Sequence, residues 1–132
     1  MSTYVLDTDT LTLFEEGQPA VLQRVATHPA SELAITVLSV EEQLSGWYTR
    51  VRKAKGNARL ALAYSRLAKT IRFLSRLQIL DFDEPAMRRC EQIRKAKIKI
   101  GRMDLRIASV VLEHGAILVT RNARDFRKIP GL

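Results

Sequence analysis

The sequence predicts an α/β fold: a central parallel sheet of four to five strands sandwiched between helices in three layers. Three observations lead there. Four short apolar runs, at residues 4–6, 32–38, 77–82 and 116–120, have the aliphatic and β-branched character of strands. The longer stretches between them carry apolar residues at three- and four-residue steps, as amphipathic helices do. Strand and helix segments alternate, and parallel strands joined by helical crossovers follow from that order.

The first strand, Tyr4-Val5-Leu6, runs straight into Asp7-Thr8-Asp9. A short helix over residues 10–16 closes at Gly17, and Pro19 opens a second towards His28, which Pro29 ends. His28 reads as a capping or surface residue. In the second strand, residues 32–38, Leu33, Ile35 and Val37 alternate with smaller or polar neighbours. Ser39-Val40-Glu41-Glu42 fits a capping box, with Ser39 as cap and Glu42 in the first turn of a helix reaching Lys53. After Lys55-Gly56, Asn57 caps a long helix over residues 58–77 whose stripe is Leu60, Ala63, Tyr64, Leu67, Ile71 and Leu74. The third strand spans 77–82, and Glu84-Pro85 opens a helix to Ala96. Asp104 begins a helix that stops at Gly115, with His114 in its last turn. The fourth strand spans 116–120, a loop follows over 121–126, and residues 126–129 supply an optional edge strand.

A chain of 132 residues suits one domain, 1–132, with one core. Its 46% hydrophobic and 27% charged content is that of ordinary globular proteins, which sets aside disordered and fibrous classes. The single cysteine, Cys90, cannot form an internal disulfide, which fits a reducing, cytoplasmic setting. The N-terminus lacks the basic-then-apolar pattern of a signal peptide. No apolar run approaches the ~20 residues that span a bilayer, so no membrane role is expected. The net charge of +8 is unevenly spread: residues 50–102 hold 16 Lys/Arg against 4 Asp/Glu, and residues 1–49 hold 1 against 7. That asymmetry favours a polyanionic partner, nucleic acid first.

Asp7 follows the first strand, Glu42 the second, and Asp125 the fourth, while Asp104 opens the helix before the fourth. Open α/β sheets bind ligands at the carboxyl edge of their strands. A set of carboxylates with neither a histidine pair nor a cysteine cluster suits Mg²⁺ or Mn²⁺ rather than zinc. Such ions polarise phosphoryl oxygens, so the acids and the basic surface together suit a phosphodiester substrate. Each acid also has an ordinary structural role: Asp7 and Asp9 in a turn, Glu42 and Asp104 at helix starts, Asp125 on a surface loop.

Four segments resemble the PIN-domain family, and within it the VapC-type toxins of type II toxin–antitoxin pairs. They are Val5-Leu6-Asp7-Thr8-Asp9; Ser39-Val40-Glu41-Glu42 with Gly46; Ile100-Gly101-Arg102-Met103-Asp104 with Ile107-Ala108; and Thr120-Arg121-Asn122-Ala123-Arg124-Asp125-Phe126 with Pro130-Gly131-Leu132. The resemblance implies a Mg²⁺- or Mn²⁺-dependent endoribonuclease acting on RNA, with transfer RNA a common target. Asp7, Glu42 and Asp104 match the metal site. Some members carry a fourth acid where Asn122 stands, so either Asn122 or Asp125 fills that corner. Thr8 and Thr120 are candidates to support a carboxylate, and Arg102, Arg106, Arg121 and Arg124 to hold phosphates. The family further implies a VapB-like antitoxin, a homodimer, and a groove for which Leu11, Phe14, Leu44, Trp47 and Tyr48 are candidates. Two rivals are weighed against this. Leu6-Asp7-Thr8-Asp9 also fits the first motif of haloacid-dehalogenase-type phosphatases, with Asp7 as nucleophile and Asp9 as acid/base, though Glu42 and Asp104 then have no role. A non-catalytic basic RNA-binding module is the other.

Overall fold

Strands β1 (Tyr4–Leu6), β2 (Leu33–Thr36), β3 (Gln78–Leu80) and β4 (Ile117–Val119) form one parallel sheet in the computed structural model, which describes residues 2–132. Among the described residues the order is β3-β2-β1-β4. The chain adds β2 and β3 on one side of β1, then returns to lay β4 on the other. The order therefore reverses between β1 and β4, and a crevice opens beyond the strand ends at such a reversal.

The crossovers are α1 (Thr8–Glu16) with α2 (Pro19–Ala26), α3 (Val37–Lys53) with α4 (Asn57–Leu74), and α5 (Glu84–Lys95) with α6 (Arg102–Glu113); α7 (Ala123–Phe126) follows β4. The pleat sorts side chains between two helical layers. Val5 and Ala34 face a cluster with Leu38, Ala86, Ile107, Val110 and Val111, from α3, α5 and α6. Leu6 and Ile35 face the opposite way, onto Leu11 of α1 and Leu74 of α4. This is a three-layer α/β/α sandwich. Burying each large aliphatic contributes roughly 1.5–3 kcal/mol relative to leaving it in water.

Several local readings change. β2 ends at Thr36, and all four of its residues are buried, because helices cover both faces. Val37 and Leu38 already belong to α3. Ser39 is not the cap of that helix: Thr36 is, its hydroxyl accepting from the Ser39 N–H at 3.2 Å. Glu42 consequently lies in the second turn. α1 starts at Thr8, two residues early, because Asp7 caps it. Asn57 is the first residue of α4, with Gly56 at the cap and a φ of 83° that favours glycine. On α4, Ala63 and Leu74 are buried, but Tyr64 and Ile71 are exposed, and Thr70 takes an inward place where its hydroxyl donates to Glu15. Residues 126–129 add no strand. Phe126 and Ile129 instead bury against Leu105 and Ala108, after the one-turn helix α7 where a loop was expected.

The remaining reactive side chains have structural partners. Cys90 is half-buried beside the Phe126 cluster. His28 lies 4.3 Å from the Tyr4 ring, centroid to centroid, and 3.6 Å from Glu32. His114 closes α6, its Nδ1 2.9 Å from the Val110 carbonyl. Among the described residues, no helix is long and apolar enough to cross a membrane.

Candidate metal-binding and catalytic site

Asp7 is where β1 becomes α1, and both neighbours fix it. Its backbone N–H donates to the Val119 carbonyl at 3.1 Å, extending the β1–β4 ladder by one bond. Its Oδ1 accepts from the Thr10 N–H at 2.9 Å, capping α1. Its Oδ2 accepts from the Thr120 hydroxyl at 2.5 Å. The side chain is buried, 4% exposed, so a carboxylate is held out of bulk water at the point where the strand order reverses.

The second acid comes from α3. Glu42 Oε1 accepts from the Thr8 hydroxyl at 2.6 Å, which ties the first turn of α1 to the second turn of α3. Asp104 is the third residue of α6, half-buried beyond the capping Gly101. Burial pushes its carboxyl pKa up from the ordinary value, and the negative charges of Asp7, Glu42, Asp9 and Asp125 push in the same direction. The helix dipole at this position favours negative charge. Residues far apart in the chain thus share one field.

Asp125 lies on α7 at the rim. Its Oδ2 accepts from the Asn122 amide at 3.1 Å and its Oδ1 from Lys128 at 3.4 Å. The hydrogen bond from Asn122, then that from Lys128, hold its carboxyl below the usual range. Asn122 also donates its backbone N–H to Thr120 Oγ1 at 2.8 Å. Asp125, Asn122, Thr120 and Asp7 therefore form a connected chain of polar contacts. Asp9, by contrast, is exposed in the first turn of α1.

The four arginines differ. Arg102, Arg121 and Arg124 are exposed, whereas Arg106 is half-buried with its guanidinium 5.8 Å from the Phe82 ring and 4.0 Å from Met103 Sδ. Among the described residues none of the four is paired with a carboxylate. Of the five groove candidates, Leu11 is fully buried in the core and Phe14 packs on Phe73, while Leu44 is half-buried and Tyr48 exposed. Only Trp47 lines the cleft of about 760 Å³ that opens between α1, α3 and α4. Thr8 and Glu42 stand in the same cleft, which is also lined by Arg50 from α3 and by Leu62, Arg66 and Lys69 from α4. Arg50, Leu62, Arg66 and Lys69 carry no motif that marks them in the sequence, and Ser39, marked there as a helix cap, stands instead behind Thr8.

The donor set is all oxygen. Among the described residues no three His, Cys, Asp or Glu side chains already stand as ligands of one ion. Asp7 and Glu42 nonetheless lie close enough to Asp104 for their charges to raise its pKa. Mg²⁺ keeps several of its waters and takes only one or two carboxylates directly. The residues present fit a hydrated divalent ion held partly through water, rather than a closed cage.

The sequence model of the PIN domain matches residues 4–132. The chain is 29% identical over 137 aligned positions to a tRNA(fMet)-specific endonuclease VapC of Salmonella typhimurium, covering 100% of this chain and 96% of that one. Ribonuclease VapC2 of Rickettsia felis is 43% identical over 65 residues, or 46% of this chain and 48% of the relative. Among solved structures, DNA-bound VapBC from Salmonella typhimurium superposes with a TM-score of 0.80 at 28% identity, over 100% of this chain and 96% of the other. VapBC2 from Rickettsia felis, bound to a promoter DNA fragment, gives 0.75 at 28% identity, over 98% and 95%.

Proposed function

The chain belongs to the PIN-domain family, and from that premise we propose that it is a divalent-metal-dependent endoribonuclease, the toxin of a toxin–antitoxin pair. The observation that carries the reading is that Asp7 and Glu42 are each held by a threonine hydroxyl, Thr120 and Thr8, beyond the strand ends where the sheet order reverses, with Asp104 near enough for both charges to raise its pKa. Residues 1–132 act as one domain.

Asp7, Asp104 and Glu42 would hold Mg²⁺ or Mn²⁺, directly or through water. When bound, such an ion polarises a phosphoryl oxygen and lowers the pKa of a nearby water. The protein's own work is positioning. Thr120 and the Thr10 N–H hold Asp7 by one oxygen each, so that carboxylate is fixed before any ligand arrives. Thr8 does the same for Glu42. Asp125 and Asn122 support the far side through Thr120, and Asp125 fills the corner that Asn122 leaves neutral. Arg102, Arg121 and Arg124 supply exposed cations for phosphates, with Arg106 braced behind them on Phe82.

The cleft beside Glu42 suits an antitoxin segment, because Trp47 and Leu62 offer apolar surface between acids on α1 and cations on α3 and α4. A segment lying there covers Thr8 and Glu42, and so blocks substrate. The protein works in the cytoplasm, as a homodimer. Transfer RNA is the first substrate to test, since the similar Salmonella protein is named for one.

The test is cleavage of a transfer RNA pool by purified protein with Mn²⁺ or Mg²⁺. Cleavage that chelation stops and Asp7→Asn abolishes supports the reading. Tight RNA binding without cleavage at any metal concentration would leave only the binding module. Phosphatase activity lost in Asp9→Asn would point to the dehalogenase-like alternative. Sedimentation as a concentration-independent monomer would exclude the homodimer.

A further inference from the structure

With Thr36 as the helix cap, the hydroxyl of Ser39 is left for another use, and its geometry assigns one. Ser39 Oγ lies 2.9 Å from Thr8 Oγ1, and the residue is fully buried. Thr8 Oγ1 in turn lies 2.6 Å from Glu42 Oε1. A hydroxyl has a single proton to give, and an ionised carboxylate only accepts. Thr8 must therefore donate to Glu42, which leaves Ser39 as donor to Thr8. The order of protons is fixed along the chain Ser39 to Thr8 to Glu42.

We infer that Ser39 is a positioning residue for the metal site, acting on Glu42 through Thr8. This rests on the nuclease reading above for its purpose, but not for its geometry. Burial gives the Ser39 hydroxyl no water to turn to. Accepting from Ser39 strengthens the Thr8 hydroxyl as a donor, because hydrogen bonds in a chain polarise one another. It also stops Thr8 from rotating to donate to Ser39, which would release Glu42. Ser39 and Glu42 are three residues apart on α3, so one helix face presents both ends of the chain to the same threonine. Glu42 is thus held in one orientation by its own helix, with α1 as the bridge.

The test is a double-mutant cycle on the full-length protein, with Mn²⁺ alone as ligand, read by calorimetry and separately by the Mn²⁺ concentration for half-maximal RNA cleavage. Thr8→Val should weaken Mn²⁺ binding about tenfold, the size expected for losing a hydrogen bond to a charged group. Ser39→Ala should weaken it about threefold, and Ser39→Thr should restore it. Thr8→Val with Ser39→Ala together should be no worse than Thr8→Val alone, since Ser39 acts only through Thr8. Losses that multiply would overturn the proposal, as would unchanged Mn²⁺ affinity in Ser39→Ala with an unaltered melting temperature. If wild-type protein binds Mn²⁺ yet cleaves no RNA, the nuclease reading fails while the calorimetric cycle still decides this one.

Discussion

Asp7 carries two duties that substitution can separate. Its carboxylate caps α1, and its charge bears on Asp104 in the proposed metal site. Asparagine caps helices about as well as aspartate, so Asp7→Asn should leave stability within about 0.5 kcal/mol of wild type while abolishing metal-dependent cleavage. Asp7→Ala should lose cleavage and also about 1 kcal/mol by denaturant unfolding. Asp104 gives the pH dependence. Its folded pKa is raised, above all by burial and then by Asp7 and Glu42. The folded state therefore prefers the protonated acid. That contribution is fully present below the ordinary pKa of 3.8 and is lost as pH rises through the higher folded value. The raised pKa therefore costs stability at pH values above it in metal-free buffer. Asp104→Asn should raise Tm over wild type at pH 7 with chelator present, and the advantage should vanish by about pH 3.5.

At the scale of elements, α3 matters most, because it carries Ser39 and Glu42 and its first turn sits at the end of β2. The buried Thr36 hydroxyl sets where the helix begins. Thr36→Val should cost about 1–2 kcal/mol in denaturant unfolding and weaken Mn²⁺ binding, whereas Thr36→Ser should keep both near wild type. The sequence shows why this start is hard to read. Thr36 and Ser39 are both good caps, and the acid three residues after Ser39 points to the wrong one. What decided it was the sheet: Val37 and Leu38 turn into the helix because β2 has reached the end of its pairing with β3 at Leu80. The C-terminal segment failed as an edge strand for a similar reason. Phe126 and Ile129 have strand-like character, but a cluster on α6 was open to bury them.

At the scale of the molecule, acids gather at the sheet end while cations populate the helical hairpins, and the cleft between α1, α3 and α4 joins the two. Arg66→Glu with Lys69→Glu should weaken docking of an antitoxin segment, and Trp47→Ala should do so with unchanged metal-dependent cleavage by the free protein; competition binding checks both. RNA affinity should fall with added salt, the log–log slope reporting about 0.7 per phosphate neutralised. The sequence by itself determined the layer order, the four strands and the family. Apolar periodicity and short motifs are local, and they survive in a string of residues. It also made Asp7, Glu42, Asp104 and Asp125 candidates, since an acid after an apolar run or at a helix start can be located in the string, and the family motifs pick out the same positions. Only the tertiary structure decided that Thr120 and Thr8 each hold one carboxylate, that Ser39 stands behind Thr8, and that Trp47 alone of the five candidates lines the cleft. Those facts depend on which faces of distant helices meet, and helix rotation and crossover geometry are fixed by packing of the whole core rather than by any stretch of chain.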